Sequence, residues 1–100
     1  MNYKTDLHNG VLKVKISDVL TFDDHENFKS VVKEIEADTC SSVEINVYEL
    51  TAIDSAGVGL LLLANDRAKK KNKVLTVTGL SGHVKKVAEL FKLNQLVKVA

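Results

Sequence analysis

The stretch Val43-Glu-Ile-Asn-Val47-Tyr48-Glu-Leu-Thr-Ala-Ile-Asp54-Ser55-Ala56-Gly57-Val58-Gly59-Leu60 changes its hydrophobic period once, and that change decides the fold class. Val43, Ile45 and Val47 alternate with Glu44 and Asn46, the period-two pattern of a strand with one wetted face. Tyr48 to Asp54 reads as a turn. From Ser55 a helix runs to about Lys71, closing on Lys69-Lys70-Lys71, cations that suit the negative end of a helix dipole. A strand that feeds a helix in this way is part of a βαβ unit.

Working outward, the same alternation of periods repeats on both sides. Upstream, Phe28, Val31, Val32 and Ile35 recur at helical spacing within Thr21–Ala37, and Asp23, Asp24 and Glu26 precede them at the positive end of the dipole. Before that helix, Tyr3–Leu7 and Val11–Ile16 flank His8-Asn9-Gly10, an Asn-Gly pair of the kind that closes a β-hairpin. Downstream, Val74–Thr78 is a β-branched strand and Gly79–Gly82 a turn. A third helix follows, with Val84, Val87, Ala88 and Phe91 on its buried stripe, and Leu96–Val99 makes a closing strand. The order β-β-α-β-α-β-α-β predicts an α/β fold. It is a mixed, mostly parallel sheet with helices packed against it, in a single domain over residues 1–100.

Composition narrows the function classes. The chain has 100 residues, 45% of them hydrophobic and 27% charged, with a formal net charge of +1. That balance gives no bias towards nucleic acid or an anionic membrane. A single cysteine, Cys40, cannot close an internal disulfide, which suits a reducing compartment. No signal peptide opens the chain, and the longest apolar run, Val58–Ala64, is too short to span a bilayer. A cytoplasmic protein is expected. There is no Walker A sequence and no G-x-G-x-x-G, so no cofactor is expected. Ile53-Asp54-Ser55-Ala56-Gly57 lacks the first glycine of a G-x-S-x-G nucleophile elbow, which argues against an enzyme. His25 has no second histidine at ligand spacing and reads as solvated surface, so no metal site is expected. Lys69 to Lys73 reads as a solvated helix end, and Cys40 as a semi-buried small residue.

The chemistry concentrates at the start of the second helix. Asp54 and Ser55 fall at or next to its N-cap, where a side-chain oxygen can accept an unpaired backbone N–H. Gly57 and Gly59 cost the helix roughly 1 kcal/mol each relative to alanine. They serve either close packing or the near approach of another backbone or a phosphate. Ser55 is therefore either a plain cap or a phosphoacceptor. A phosphoryl group there would bring about −1.5 to −2 charges. Asp54, Asp18, Asp23 and Asp24 would add to the local negative charge and repel a partner docked on the unmodified surface.

The run Leu50-Thr-Ala-Ile-Asp54-Ser55-Ala56-Gly57-Val58-Gly59-Leu60 resembles the D-S-[ST]-G-x-G signature of STAS domains, the anti-sigma factor antagonists of bacteria. The resemblance extends over nearly the whole chain in element order and length. It implies a regulator that works by binding, with Ser55 phosphorylated by a partner serine kinase, often itself the anti-sigma factor, and dephosphorylated by a serine phosphatase. On this reading the partner surface comprises Asp18, Thr21, Asp23, Asp24, Asp54, Ala56, Gly57 and Val58. Two departures stand out. Ala56 replaces a second hydroxyl, and Asp18-Val19-Leu20-Thr21 stands where the family usually reads G-x-L-D, so Thr21 replaces the acidic residue. Two other readings remain open at this point: an unphosphorylated accessory subunit of a transporter or larger complex, and a small-ligand sensor using the helix N-terminus.

Overall fold

The computed structural model describes residues 1–100, and the hairpin comes first because its turn is the most local event in the chain. Asn9 and Gly10 both take positive φ, 51° and 80°, the backbone that a two-residue hairpin of right-handed twist requires. β1 (Asn2–His8) and β2 (Val11–Leu20) therefore pair antiparallel in the register Tyr3 with Ile16 and Leu7 with Leu12. A single 3-10 turn, Phe22–Asp24, leads into α1 (His25–Glu36). Then come β3 (Ser42–Ile53), α2 (Ser55–Lys70), β4 (Val74–Thr78), α3 (Gly82–Leu90), α4 (Leu93–Leu96) and β5 (Lys98–Val99). The sheet order is β1-β2-β3-β4-β5, and every pair after the hairpin is parallel. The α/β expectation holds: a mixed, mostly parallel sheet with its strands in the predicted order, though a short helix that was not expected, α4, precedes β5.

The sheet has one buried and one wetted face. Leu12, Val14 and Ile16 of β2, Val43, Ile45 and Val47 of β3, and Leu75 and Val77 of β4 are all buried. They meet Phe28, Val31, Val32 and Ile35 of α1 and Val58, Leu60, Leu61 and Ala64 of α2 in one core. The intervening residues, such as Lys13, Lys15, Glu44 and Thr76, are exposed or half-buried. Because the parallel strands advance in one direction across the sheet, right-handed crossovers place their helices on the same side. That is why alternation survives in strands that, in a sheet covered on both faces, would be apolar throughout.

Three expectations need correction. The stretch Tyr48–Ile53, read as a turn, continues β3, pairing Glu49 with Ser17, Leu50 with Asp18, Ala52 with Val19 and Ile53 with Leu20. Register shifts between Lys15 and Ser17 and between Asp18 and Val19 move the buried positions to Leu50 and Ile53, three apart, and so hide the strand from a period-two reading. Phe91, placed on the buried stripe of the third helix, is 45% exposed. The chain reverses at Lys92, with φ of 53°, and Leu93 enters the core instead. The closing strand is shorter than expected, Lys98–Val99.

Lys73 also departs from the solvated-end reading, which fits only Lys69, Lys70 and Lys71, all exposed. Lys73 is 8% exposed, and its ammonium donates to the carbonyls of Ile35 (2.7 Å) and Ala37 (2.5 Å) and lies 3.4 Å from Cys40 Sγ. A cation is tolerated here because it sits at the carbonyl-rich, negative end of α1. Cys40 is accordingly buried against this contact, more fully than expected.

Candidate functional site

The end of β2, the 3-10 turn and the start of α2 meet at one corner of the molecule, and backbone contacts fix the meeting. Asp54 N–H donates to Leu20 O at 3.3 Å, joining the end of β3 to the end of β2. Asp54 then caps α2: its Oδ1 accepts the Gly57 N–H at 2.7 Å, while Oδ2 accepts the Phe22 N–H at 3.3 Å. One residue thus joins two strand ends through its backbone, and its carboxylate starts a helix and holds the 3-10 turn.

That arrangement leaves the cap to Asp54 and not to Ser55. The cap is Asp54, and Ser55 is the first helical residue, exposed and outside the capping bonds. Its hydroxyl stands beside the N–H groups of the first turn, which have no intrahelical acceptors. Negative charge there is favoured by the dipole of α2.

The two glycines separate cleanly. A Cβ on Gly57 would lie 2.1 Å from Leu20 O and 2.7 Å from Ile53 Cγ1, so only glycine lets α2 start this close to β2. A Cβ on Gly59 would meet nothing within 4 Å. Packing accounts for Gly57 and leaves Gly59 without a steric reason. Ser55, Gly59 and Leu62 recur at i, i+4 and i+7 on one stripe of α2, the first two exposed and Leu62 half-buried.

The remaining residues of the expected partner surface divide by exposure. Asp23 and Asp54 are exposed, and Thr21 and Ala56 half-buried, around this corner. Asp18 is exposed at a register shift of β2, pairs with Leu50, and holds φ of 73°. It occupies the position where the family pattern has glycine, and the left-handed backbone explains that glycine. Gly57 and Val58 are buried and offer no side-chain surface.

Asp24 is likewise turned inward, a correction to its placement on the partner surface. It is 8% exposed, and its carboxylate accepts from the Met1 ammonium (2.9 Å) and from Thr21 N–H (2.8 Å). Burial pushes its carboxyl up, but the hydrogen bond from the ammonium, the Thr21 bonds and the ammonium charge outweigh burial and hold it below the ordinary value. Its charge is neutralised in place and adds nothing to the acidic corner.

Phe22 was not anticipated. Its backbone is tied to the cap residue, yet its side chain is 73% exposed. The available signal was its position: Phe22 lies off the Phe28-Val31-Val32-Ile35 stripe, so no helical period buries it.

Comparisons with known proteins bear on the family and the fold. Residues 3–98 match the family described as Mlab, STAS domain. A STAS-domain containing protein of Pseudomonas aeruginosa (strain UCBPP-PA14) is 26% identical over 89 residues, covering 89% of this chain and 87% of that protein. In fold, the chain is similar to a putative anti-sigma factor antagonist from Thermotoga maritima (TM-score 0.86, 16% identity, 97% of this chain and 84% of that one). It is also similar to the phosphorylated form of SpoIIAA, the Bacillus cell fate determinant (TM-score 0.73, 17% identity, 99% and 91%). With a family match that spans almost the entire chain and the helix-start geometry described above, this protein belongs to the STAS family.

Proposed function

We propose that this protein is a partner-switching regulator that acts by binding rather than by catalysis. With a free Ser55 hydroxyl, the corner formed by Thr21, Phe22, Asp23, Ser55, Ala56 and Gly59 binds a regulatory serine kinase or anti-sigma factor. The kinase transfers the γ-phosphoryl group of a nucleoside triphosphate to Ser55 Oγ, which loses its proton as the nucleoside diphosphate leaves. This ends the binding, and a serine phosphatase restores it by hydrolysing the ester to serine and inorganic phosphate. The observation that carries this reading is the division of labour at the helix start. Asp54 does all the capping, and Ser55 is left exposed with no structural duty.

The physical consequences follow from placement. A phosphoryl group on Ser55 sits at the positive end of α2, so the fold itself tolerates about two added negative charges. The docked partner meets those charges beside Asp23 and Asp54 and is repelled. Gly59 keeps the surface beside Ser55 low, and Phe22 offers an apolar anchor of the kind that dominates interfaces.

Intact-mass measurement with peptide mapping, on protein isolated from its own host with phosphatases inhibited, should find a fraction with one phosphoryl group on Ser55. With the kinase in hand, Ser55→Ala should bind as the unmodified protein does, and Ser55→Asp should bind about tenfold more weakly or worse. Equal affinity of the two variants, or a protein unmodified under all growth conditions, would overturn the reading.

A further inference from the structure

The near-zero net charge conceals a strong asymmetry. Residues 1–66 carry five lysines against twelve acidic residues, whereas residues 67–100 carry nine lysines and arginines against one acidic residue, Glu89. The fold gathers part of this excess around a groove of about 350 Å³ between the last turns of α2 and the α4–β5 segment. Lys69 and Lys98 line its walls, Asn94 and Gln95 supply carboxamides, and no acidic residue lines it. Val74 and Leu96, 58% and 51% exposed, lie within it. Asn65 Nδ2 donates to Leu96 O at 3.2 Å and fixes one wall to α2, so the groove is formed in advance. Lys73 also lines it, but its ammonium is committed to the α1 carbonyls.

We propose that this groove is a second docking site, for an acidic segment of a protein partner carrying apolar side chains. Lysines on opposing walls with no competing carboxylate select negative charge. The apolar floor between them selects side chains rather than a free anion. Val74 and Leu96 stand partly exposed within a concavity flanked by lysines, which admits a peptide chain, whereas a bilayer surface engages apolar groups on a protruding crest. The groove lies at the C-terminal end of α2. Ser55 stands at the other end of that helix, about 21 Å from Lys69 at 1.5 Å per residue. At that distance salt screens the charge on Ser55, so this site holds its partner whatever the phosphorylation state.

The test is an amide NMR titration of the full chain with a synthetic ten-residue peptide of alternating glutamate and leucine. Shifts should cluster on Lys69, Val74, Leu96 and Lys98. Affinity should fall about tenfold in the Lys69→Glu, Lys98→Glu double variant, a change of two exposed charge contacts. It should be unaltered in Ser55→Asp, and absent when lysine replaces glutamate in the peptide. The spectrum of the double variant shows directly whether it remains folded. Shifts centred elsewhere, or undiminished affinity in the folded double variant, overturn the proposal. Phosphatidylglycerol vesicles that broaden the same amides where the peptide does nothing would also overturn it, in favour of a lipid surface.

Discussion

The two ends of α2 use polar side chains in opposite ways. At the N-terminal end Asp54 satisfies the helix and the neighbouring turn, which leaves the Ser55 hydroxyl exposed and uncommitted. Past the C-terminal end Lys73 turns inward, and its ammonium is consumed by the carbonyls that end α1. Exposure therefore does not follow from residue type. A serine with no internal partner is available for chemistry, while a lysine in a run of lysines has become part of the core. The difference lies in which neighbouring backbone groups remain without partners once the helices are placed.

The comparison can be broken most severely at the buried end. Lys73→Met keeps the aliphatic length but strands the carbonyls of Ile35 and Ala37. Denaturant unfolding should show a loss of about 3 kcal/mol. A loss below about 1 kcal/mol would mean that water replaces the ammonium and that Lys73 is not structural. At the other end, the two glycines sharpen the contrast. Gly57→Ala should cost about 2 kcal/mol or more, because its Cβ meets the backbone of Leu20. Gly59→Ala should instead stabilise by up to about 1 kcal/mol while weakening partner binding. If Gly59→Ala left partner binding intact, the low surface beside Ser55 would have no recognition role.

The smallest expected effect concerns Asp24. Its carboxyl is held below its ordinary 3.8, so its stabilising contribution is complete above that pH and is lost as the pH falls through the lower folded value. Asp24→Asn should cost about 1 kcal/mol at pH 7. The unfolding curves of the variant and the parent should converge once the pH falls well below 3.8. A gap that persisted at low pH would assign the effect to packing instead.

Much of this was legible in the sequence where the signal is local. Asn9-Gly10 named its own turn, the Phe28-Val31-Val32-Ile35 stripe named its helix, and the Asp54-Ser55 pair named the helix start. The upper half of β3 was not legible, because register shifts in its partner strand break the alternation that would reveal it. Phe91 deceived because helical spacing continues past the residue where the backbone actually reverses. Asp24 looked like surface because nothing nearby in sequence shows that the Met1 ammonium arrives beside it.

The sequence by itself determined the alternation of strands and helices, the hairpin, and the presence of a serine after an aspartate at a helix start. These depend on side-chain periodicity and on caps that act within a few residues. Only the tertiary structure decided which aspartate caps and which is neutralised, which glycine is required, and which lysine is buried. Those outcomes depend on contacts between residues 20 and 57, 1 and 24, and 35 and 73, pairs that become neighbours only when the sheet and helices have packed.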